Sequence, residues 1–130
     1  MEKKPRATTK RARKEAEPIP IWLAAVQAAQ EKQAINIRVL DLRDVTTFAD
    51  YFVICSGANP RQIQAISDGI GKDLKKIGEL PTTIEGYGNS EWILMDYGDC
   101  LIHIFSEKAR AYYDLDRLWR HALEVPVPAA

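Results

Sequence analysis

The chain is short of several things that would narrow its chemistry. It has two cysteines in 130 residues, Cys55 and Cys100, each inside an apolar run, so a disulfide framework is excluded. It has two histidines, and the one suggestive spacing, Cys100 to His103, fails as a metal pair. Residues three apart on a strand point to opposite faces. No apolar run approaches the ~20 residues that cross a bilayer, and the opening residues hold no apolar stretch of the kind a secretory signal needs. Net charge is missing too, with 18 basic and 18 acidic side chains. What remains is an ordinary composition, 46% hydrophobic and 28% charged. At this length it predicts a single cytoplasmic domain able to bury a core without metal or disulfide.

The zero net charge conceals an asymmetry. Residues 1–17 carry seven basic and three acidic side chains, which leaves positions 18–130 with 11 basic and 15 acidic. The first segment has no Leu, Ile, Val or aromatic residue, so it cannot offset its ordering entropy by burial. It is expected to be a flexible basic arm. Its charge suits RNA phosphates through counterion release, and equally suits a solvated tail. A folded domain is expected over 18–125, with 126–130 as a tail.

Within that domain, Trp22, Ala25, Val26 and Ala29 recur at helical spacing. Two strand-like runs follow, Ile37 to Leu42 and Tyr51 to Cys55. Asn59-Pro60 then opens a helix as cap and first position, with Gln62 placed for a capping box. Ile63, Ile66, Ile70, Leu74 and Ile77 give that helix one apolar face, and Gly78 ends it. Thr82 to Glu85 is a further extended run. Glu91 to Asp96 and Cys100 to Phe105 read as a hairpin across Tyr97-Gly98. A helix pair from Glu107 to Leu123 is interrupted at Asp114, which resembles a new N-cap. The order predicts one mixed sheet with helices packed on it.

A two-residue turn at Tyr97-Gly98 would place Asp96 opposite Asp99, Met95 opposite Cys100 and Trp92 opposite His103. A bulged turn would shift this by one. In the two-residue register Ile93, Met95, Cys100, Ile102 and Ile104 share an apolar core face. Trp92, Leu94, Asp96, Asp99, Leu101, His103 and Phe105 share the other. That second face mixes large apolar groups with carboxylates and an imidazole, as a partner-binding surface does. It would equally suit a Trp92 that packs under a terminal helix.

Candidate reaction chemistry is thin. Cys55 with His103 lacks an orienting group and an oxyanion donor pair. Ser56-Gly57-Ala58-Asn59-Pro60-Arg61 leads from a strand to a helix start and could hold an anion, but its single glycine is no nucleotide fingerprint. Asp114 and Asp116 stand where acidic residues complement a helix dipole. No catalytic set, metal site or cofactor is expected.

The run Thr47-Phe48-Ala49-Asp50-Tyr51-Phe52-Val53-Ile54-Cys55-Ser56-Gly57, followed by Asn59-x-Arg61-Gln62, is very similar to the Iojap-related family of ribosomal silencing factors (RsfS). So are Glu85-Gly86, Trp92-Ile93-Leu94-Met95-Asp96-Tyr97-Gly98-Asp99, His103-Ile104-Phe105 and Arg110-x-x-Tyr113-Asp114-Leu115-Asp116-Arg117-Leu118-Trp119. The resemblance implies an α/β fold with a mixed five-stranded sheet, nucleotidyltransferase-like without the acidic catalytic site. It implies a non-enzymatic protein that binds the large ribosomal subunit through its protein fourteen, blocks subunit association and represses translation when nutrients are short. A dimeric state when free is common in the family. On this reading Trp92, Leu94, Tyr113, Leu115 and Trp119 are expected as apolar anchors, with Asp96 and Asp99 as charge partners. Asp50, Gly57, Asn59 and Arg61 are expected to organise the strand–loop–helix turn. The alternatives are a nucleotidyltransferase-like enzyme, or an RNA-binding adaptor working through residues 1–17.

Overall fold

A computed structural model describes residues 19–130. The basic arm expected over 1–17 lies outside the described residues. The elements run α1 (Ile21–Glu31), β1 (Ile35–Asp41), β2 (Tyr51–Gly57), α2 (Pro60–Lys76), β3 (Thr83–Glu85), β4 (Trp92–Asp96), β5 (Cys100–Ser106), α3 (Glu107–Tyr113), α4 (Leu115–Leu118) and β6 (Leu123–Val125). The strands form one sheet in the order β3-β4-β5-β2-β1-β6. Only the central pair, β2 with β5, is parallel; every other neighbour is antiparallel. The sheet therefore has six strands, not the five expected. The additional one is β6, which pairs Leu123, Glu124 and Val125 with Asp41, Leu40 and Val39.

Period-two alternation along the strands divides the interior into two cores. Val39, Val53, Cys55, Ile93, Met95, Ile102 and Ile104 point to one face, where α1 and α2 cover them. The α1 contribution is a row of small residues, Ala24, Ala25, Ala28 and Ala29 with Val26, which brings its backbone close to the sheet. Leu40, Phe52, Ile54 and Phe105 point to the other face, where Ala109 of α3 and Leu115 of α4 close over them.

Helix α2 begins and ends on sequence chemistry. The Asn59 side chain accepts from Gln62 N (2.8 Å), Pro60 opens the helix, and Gln62 reaches back to accept from Ala58 N (2.6 Å). Gly57 is needed just before it, because a Cβ there would press against the Ile63 side chain at 2.8 Å. At the other end Gly78 takes φ +86, while its N–H and that of Glu79 reach the carbonyls of Lys75 and Leu74. This pair of bonds is a Schellman motif.

The hairpin keeps its expected faces but not its expected register. Tyr97 N donates to Cys100 O (3.0 Å), so the two turn residues are Gly98 and Asp99. Met95 therefore pairs with Ile102, Leu94 with His103 and Trp92 with Phe105. Gly98 adopts φ +85, which glycine tolerates and tyrosine does not, and the turn settles where the glycine is its first central residue. Because each residue's partner moves by two, no side chain changes face.

Candidate partner-binding site

The second face of the hairpin supports a continuous aromatic array. Tyr112 and Tyr113 meet edge to face (5.0 Å), Tyr113 packs on Trp92 (4.6 Å), and Trp92 on Phe105 (4.9 Å). Beyond it His103 lies against Phe52 (4.5 Å), Phe52 against Trp119 (5.6 Å) and Trp119 against Phe48 (5.8 Å). These rings come from five segments, which α3 and α4 bring together by folding back over the sheet. Contacts of this kind hold large side chains in fixed orientations.

His103 is the polar member of the array and is only 4% exposed. Trp92 Nε1 donates to its Nδ1 (3.2 Å), so the ring proton resides on Nε2, which is buried with no partner among the described residues. Burial pushes its pKa down to about 4, and the ring is neutral at pH 7. Neither thiol is available as a nucleophile. Burial pushes Cys55 and Cys100 up to about 12, and Cys55 lies in the first core, across the sheet from His103.

Trp92, Leu94 and Tyr113 open onto a concavity of about 330 Å³ whose rim includes Glu85, Asn89 and Glu91. Glu85 stands opposite Leu94 in the ladder, on the same face. Glu91 is fixed by Ser106, whose hydroxyl donates to Oε1 (2.7 Å) while accepting from Ala109 N as the cap of α3. Gly86 takes φ +81 directly against the Trp92 carbonyl, where a Cβ would collide. The Glu85-Gly86 pair thus lets the chain bend closely around the tryptophan.

The expected site residues divide accordingly. Trp92, Leu94 and Tyr113 are brought together. Leu115, at 9% exposure, is closed into the second core and supports the surface from beneath. Trp119 is half-buried between Phe48 and Phe52. Asp96 lies four residues along β4 from Trp92, about 13 Å at ~3.3 Å per residue, and accepts from Gly98 N (2.7 Å) as part of the turn. Asp99 is exposed on that same turn. The carboxylates beside Trp92 are Glu85, which the β3–β4 register places there, and Glu91, its neighbour in the chain; sequence reasoning weighed neither as a charge partner.

Among the loop residues, Asn59 and Gly57 shape the turn into α2 as expected. The side chains of Asp50 and Arg61 are exposed and make no hydrogen bond or ion pair among the described residues. Asp50 contributes through its backbone, donating to Asp99 O (2.8 Å). The anion pocket considered at Ser56 to Arg61 is occupied by the chain itself: Ala58 N and Gln62 N are taken by side chains, and the Ser56 hydroxyl accepts from Arg110 Nη1 (3.0 Å).

Asp114 and Asp116 stand at the start of α4, as expected. Asp114 adopts a left-handed conformation (φ 51, ψ 51) between α3 and α4, and its side chain caps nothing. Asp116 is an anchor. Arg110 grips both its oxygens (3.0 and 3.1 Å), and Arg38 reaches it at 2.7 Å while forking onto Glu124 of β6. Burial works against ionisation, but the two guanidiniums hold the Asp116 carboxyl below the usual range. Arg110 also donates to Asn36 O (2.8 Å), so this network ties α3, α4 and β6 to the sheet. Among the described residues no three of His, Cys, Asp and Glu converge as metal ligands, and no helix is long and apolar enough to cross a membrane.

The fold is thus a mixed sheet with two helices on one face and a short helix pair on the other, and it carries an aromatic surface with an acidic rim. Residues 14–129 match the family model described as "Ribosomal silencing factor during starvation". The ribosomal silencing factor RsfS of Halalkalibacterium halodurans is 37% identical over 98 residues, covering 75% of this chain and 84% of that protein. A crystal structure from Chromobacterium violaceum superposes with a TM-score of 0.75 at 26% identity, covering 85% of this chain and 91% of its own. A mouse protein named "Mitochondrial assembly of ribosomal large subunit protein 1" is 29% identical over 72% of this chain and 42% of its own length. The chain belongs to the ribosomal silencing factor (RsfS, Iojap-related) family, whose role is ribosome-associated silencing.

Proposed function

We propose that this chain represses translation by occupying the large ribosomal subunit at its protein fourteen and excluding the small subunit sterically. The mechanism needs no reaction, so the protein acts as a binding module and not an enzyme. The observation that supports it most is the concavity of Trp92, Leu94 and Tyr113 with Glu85 and Glu91 at its rim. Aromatic anchors held rigid before binding lose little freedom on docking, and large aromatic groups dominate such interfaces. The two carboxylates suit a basic ribosomal protein, steering it to the site and rejecting acidic surfaces. Asp96 and Asp99 extend the negative potential along the hairpin, while Leu115 and Trp119 brace it from below. In this reading the protein acts in the cytoplasm, residues 1–17 add cationic charge toward rRNA, and free copies pair as dimers.

Co-sedimentation with purified subunits tests this. The full chain should pellet with large subunits and not with small ones, and its presence should reduce formation of joined ribosomes. Equal pelleting with both subunits, or with neither, would refute the proposal.

A further inference from the structure

We infer that a second concavity on the other side of Tyr113, bounded by Tyr112, Arg117, Leu118 and Arg120, holds RNA backbone phosphates beside the protein contact. This deepens the ribosome-binding reading above and rests on it. The concavity is open, with a volume of about 380 Å³, and shares Tyr113 with the Trp92 concavity. The two are therefore neighbours that meet at Tyr113, and the charges at their rims are opposite. Around Trp92 the charged rim is Glu85 and Glu91. In the Tyr112 concavity the exposed charges are Arg117 and Arg120; on the adjoining surface between Tyr112 and Tyr113, Lys108 faces Glu91 of the acidic rim.

These cations stand out in a domain whose positions 18–130 hold 15 acidic and 11 basic residues. Arg117, Arg120 and Lys108 form no ion pair among the described residues, whereas the nearby Asp116 is consumed by Arg110 and Arg38. Asp114, half-buried, is the one carboxylate in the concavity. The Arg120 guanidinium is held in place at the end of α4 by its bond to Arg117 O (3.0 Å). Tyr112 is 80% exposed and stands at 90° on Tyr113; Leu118 is 64% exposed. Guanidiniums beside an exposed ring combine phosphate binding with a stacking platform, the pairing that nucleic-acid surfaces use. Along one surface the order is acid, aromatic, base. That order fits a target in which a basic protein sits on phosphate-rich RNA, and it fits an acidic protein segment less well, because such a segment has no use for an exposed ring.

The test is a salt titration with three full-length proteins: wild type, Arg117→Gln with Arg120→Gln, and Trp92→Ala. Residues 1–17 are common to all three, so their charge cancels from every comparison. Binding is measured to large subunits and, separately, to protein-depleted large-subunit RNA, and melting temperatures verify folding. The arginine variant should bind subunits roughly tenfold more weakly at 0.1 M salt, with the log–log salt slope reduced by about 1.5 for two phosphate contacts. It should lose affinity for the bare RNA in parallel, while Trp92→Ala weakens subunit binding with its slope unchanged. Failure of wild type to bind subunits would sink the ribosomal reading, with the bare-RNA comparison still deciding the patch. An arginine variant with wild-type affinity and slope on both targets overturns the inference. So does a loss on subunits with no loss on bare RNA, which would assign the patch to a protein contact.

Discussion

Lowering the pH from 7.5 to 5.0 should destabilise this protein through one residue, His103. Its imidazole is buried among Phe52, Trp92 and Phe105, with Nδ1 accepting from Trp92 Nε1. The pKa falls from the ordinary 6.5 to about 4 because burial disfavours the cation. A depressed histidine contributes stability that is whole above the unfolded value of 6.5 and is lost as the pH falls toward 4. Between pH 7.5 and 5.0 the loss is about 2 kcal/mol, since each pH unit inside the window is worth ~1.4 kcal/mol. The carboxylates do not mimic it. Asp41, Asp116 and Glu124 are held below their ordinary range, so their contributions persist until lower pH, while Glu79 is raised by burial and opposes the loss. Urea unfolding followed by tryptophan fluorescence reads the effect. With an m-value of about 2 kcal/mol per M, the midpoint should fall by about 1 M. His103→Gln keeps an acceptor for Trp92 and removes the titration, so its midpoint should hold across the same range. A wild-type midpoint that stays constant, or a glutamine variant that falls as steeply, would show that the aromatic array is open to water and that the burial argument is wrong.

Two further outcomes separate the faces of the sheet. Met95→Ala, in the core under α2, should cost ~2–5 kcal/mol in chemical denaturation and leave the large-subunit affinity of the folded fraction unchanged. Trp92→Ala should instead weaken that affinity by about 2 kcal/mol or more, and equal losses of affinity would place the contact wrongly. Arg110→Ala should lower stability by about 2–3 kcal/mol, because Asp116 keeps Arg38 but loses its bidentate partner. A melting temperature equal to wild type would refute the anchoring role.

Local chemistry was legible in the sequence and long-range chemistry was not. The start of α2 at Asn59, its stop at Gly78 and the two faces of the hairpin all follow from side chains within a few positions of each other. The turn was misplaced by one residue because Tyr97-Gly98 and Gly98-Asp99 are equally short, and only the φ demand on glycine separates them. Strand β6 is three residues followed by proline, with no alternation to read, and its support comes from Arg38, which is distant in sequence. The Arg38–Arg110–Asp116–Glu124 network likewise joins residues whose proximity exists only after folding. Glu85 reaches Trp92 for the same reason, through the β3–β4 register, whereas Glu91 stands next to Trp92 in the chain itself.

Both rims of the sheet are three residues long. At one rim β3 exposes Thr83, Ile84 and Glu85, and at the other β6 is followed by Pro126 and Pro128, which have no N–H to offer a neighbour. A second chain that docked along either rim could form only a few ladder hydrogen bonds before running out of strand. The Val- and Ile-rich centre of the sheet is thereby insulated from the edge-on stacking that leads to fibrils. Association between copies is thereby steered toward side-chain surfaces, where charge and shape discriminate.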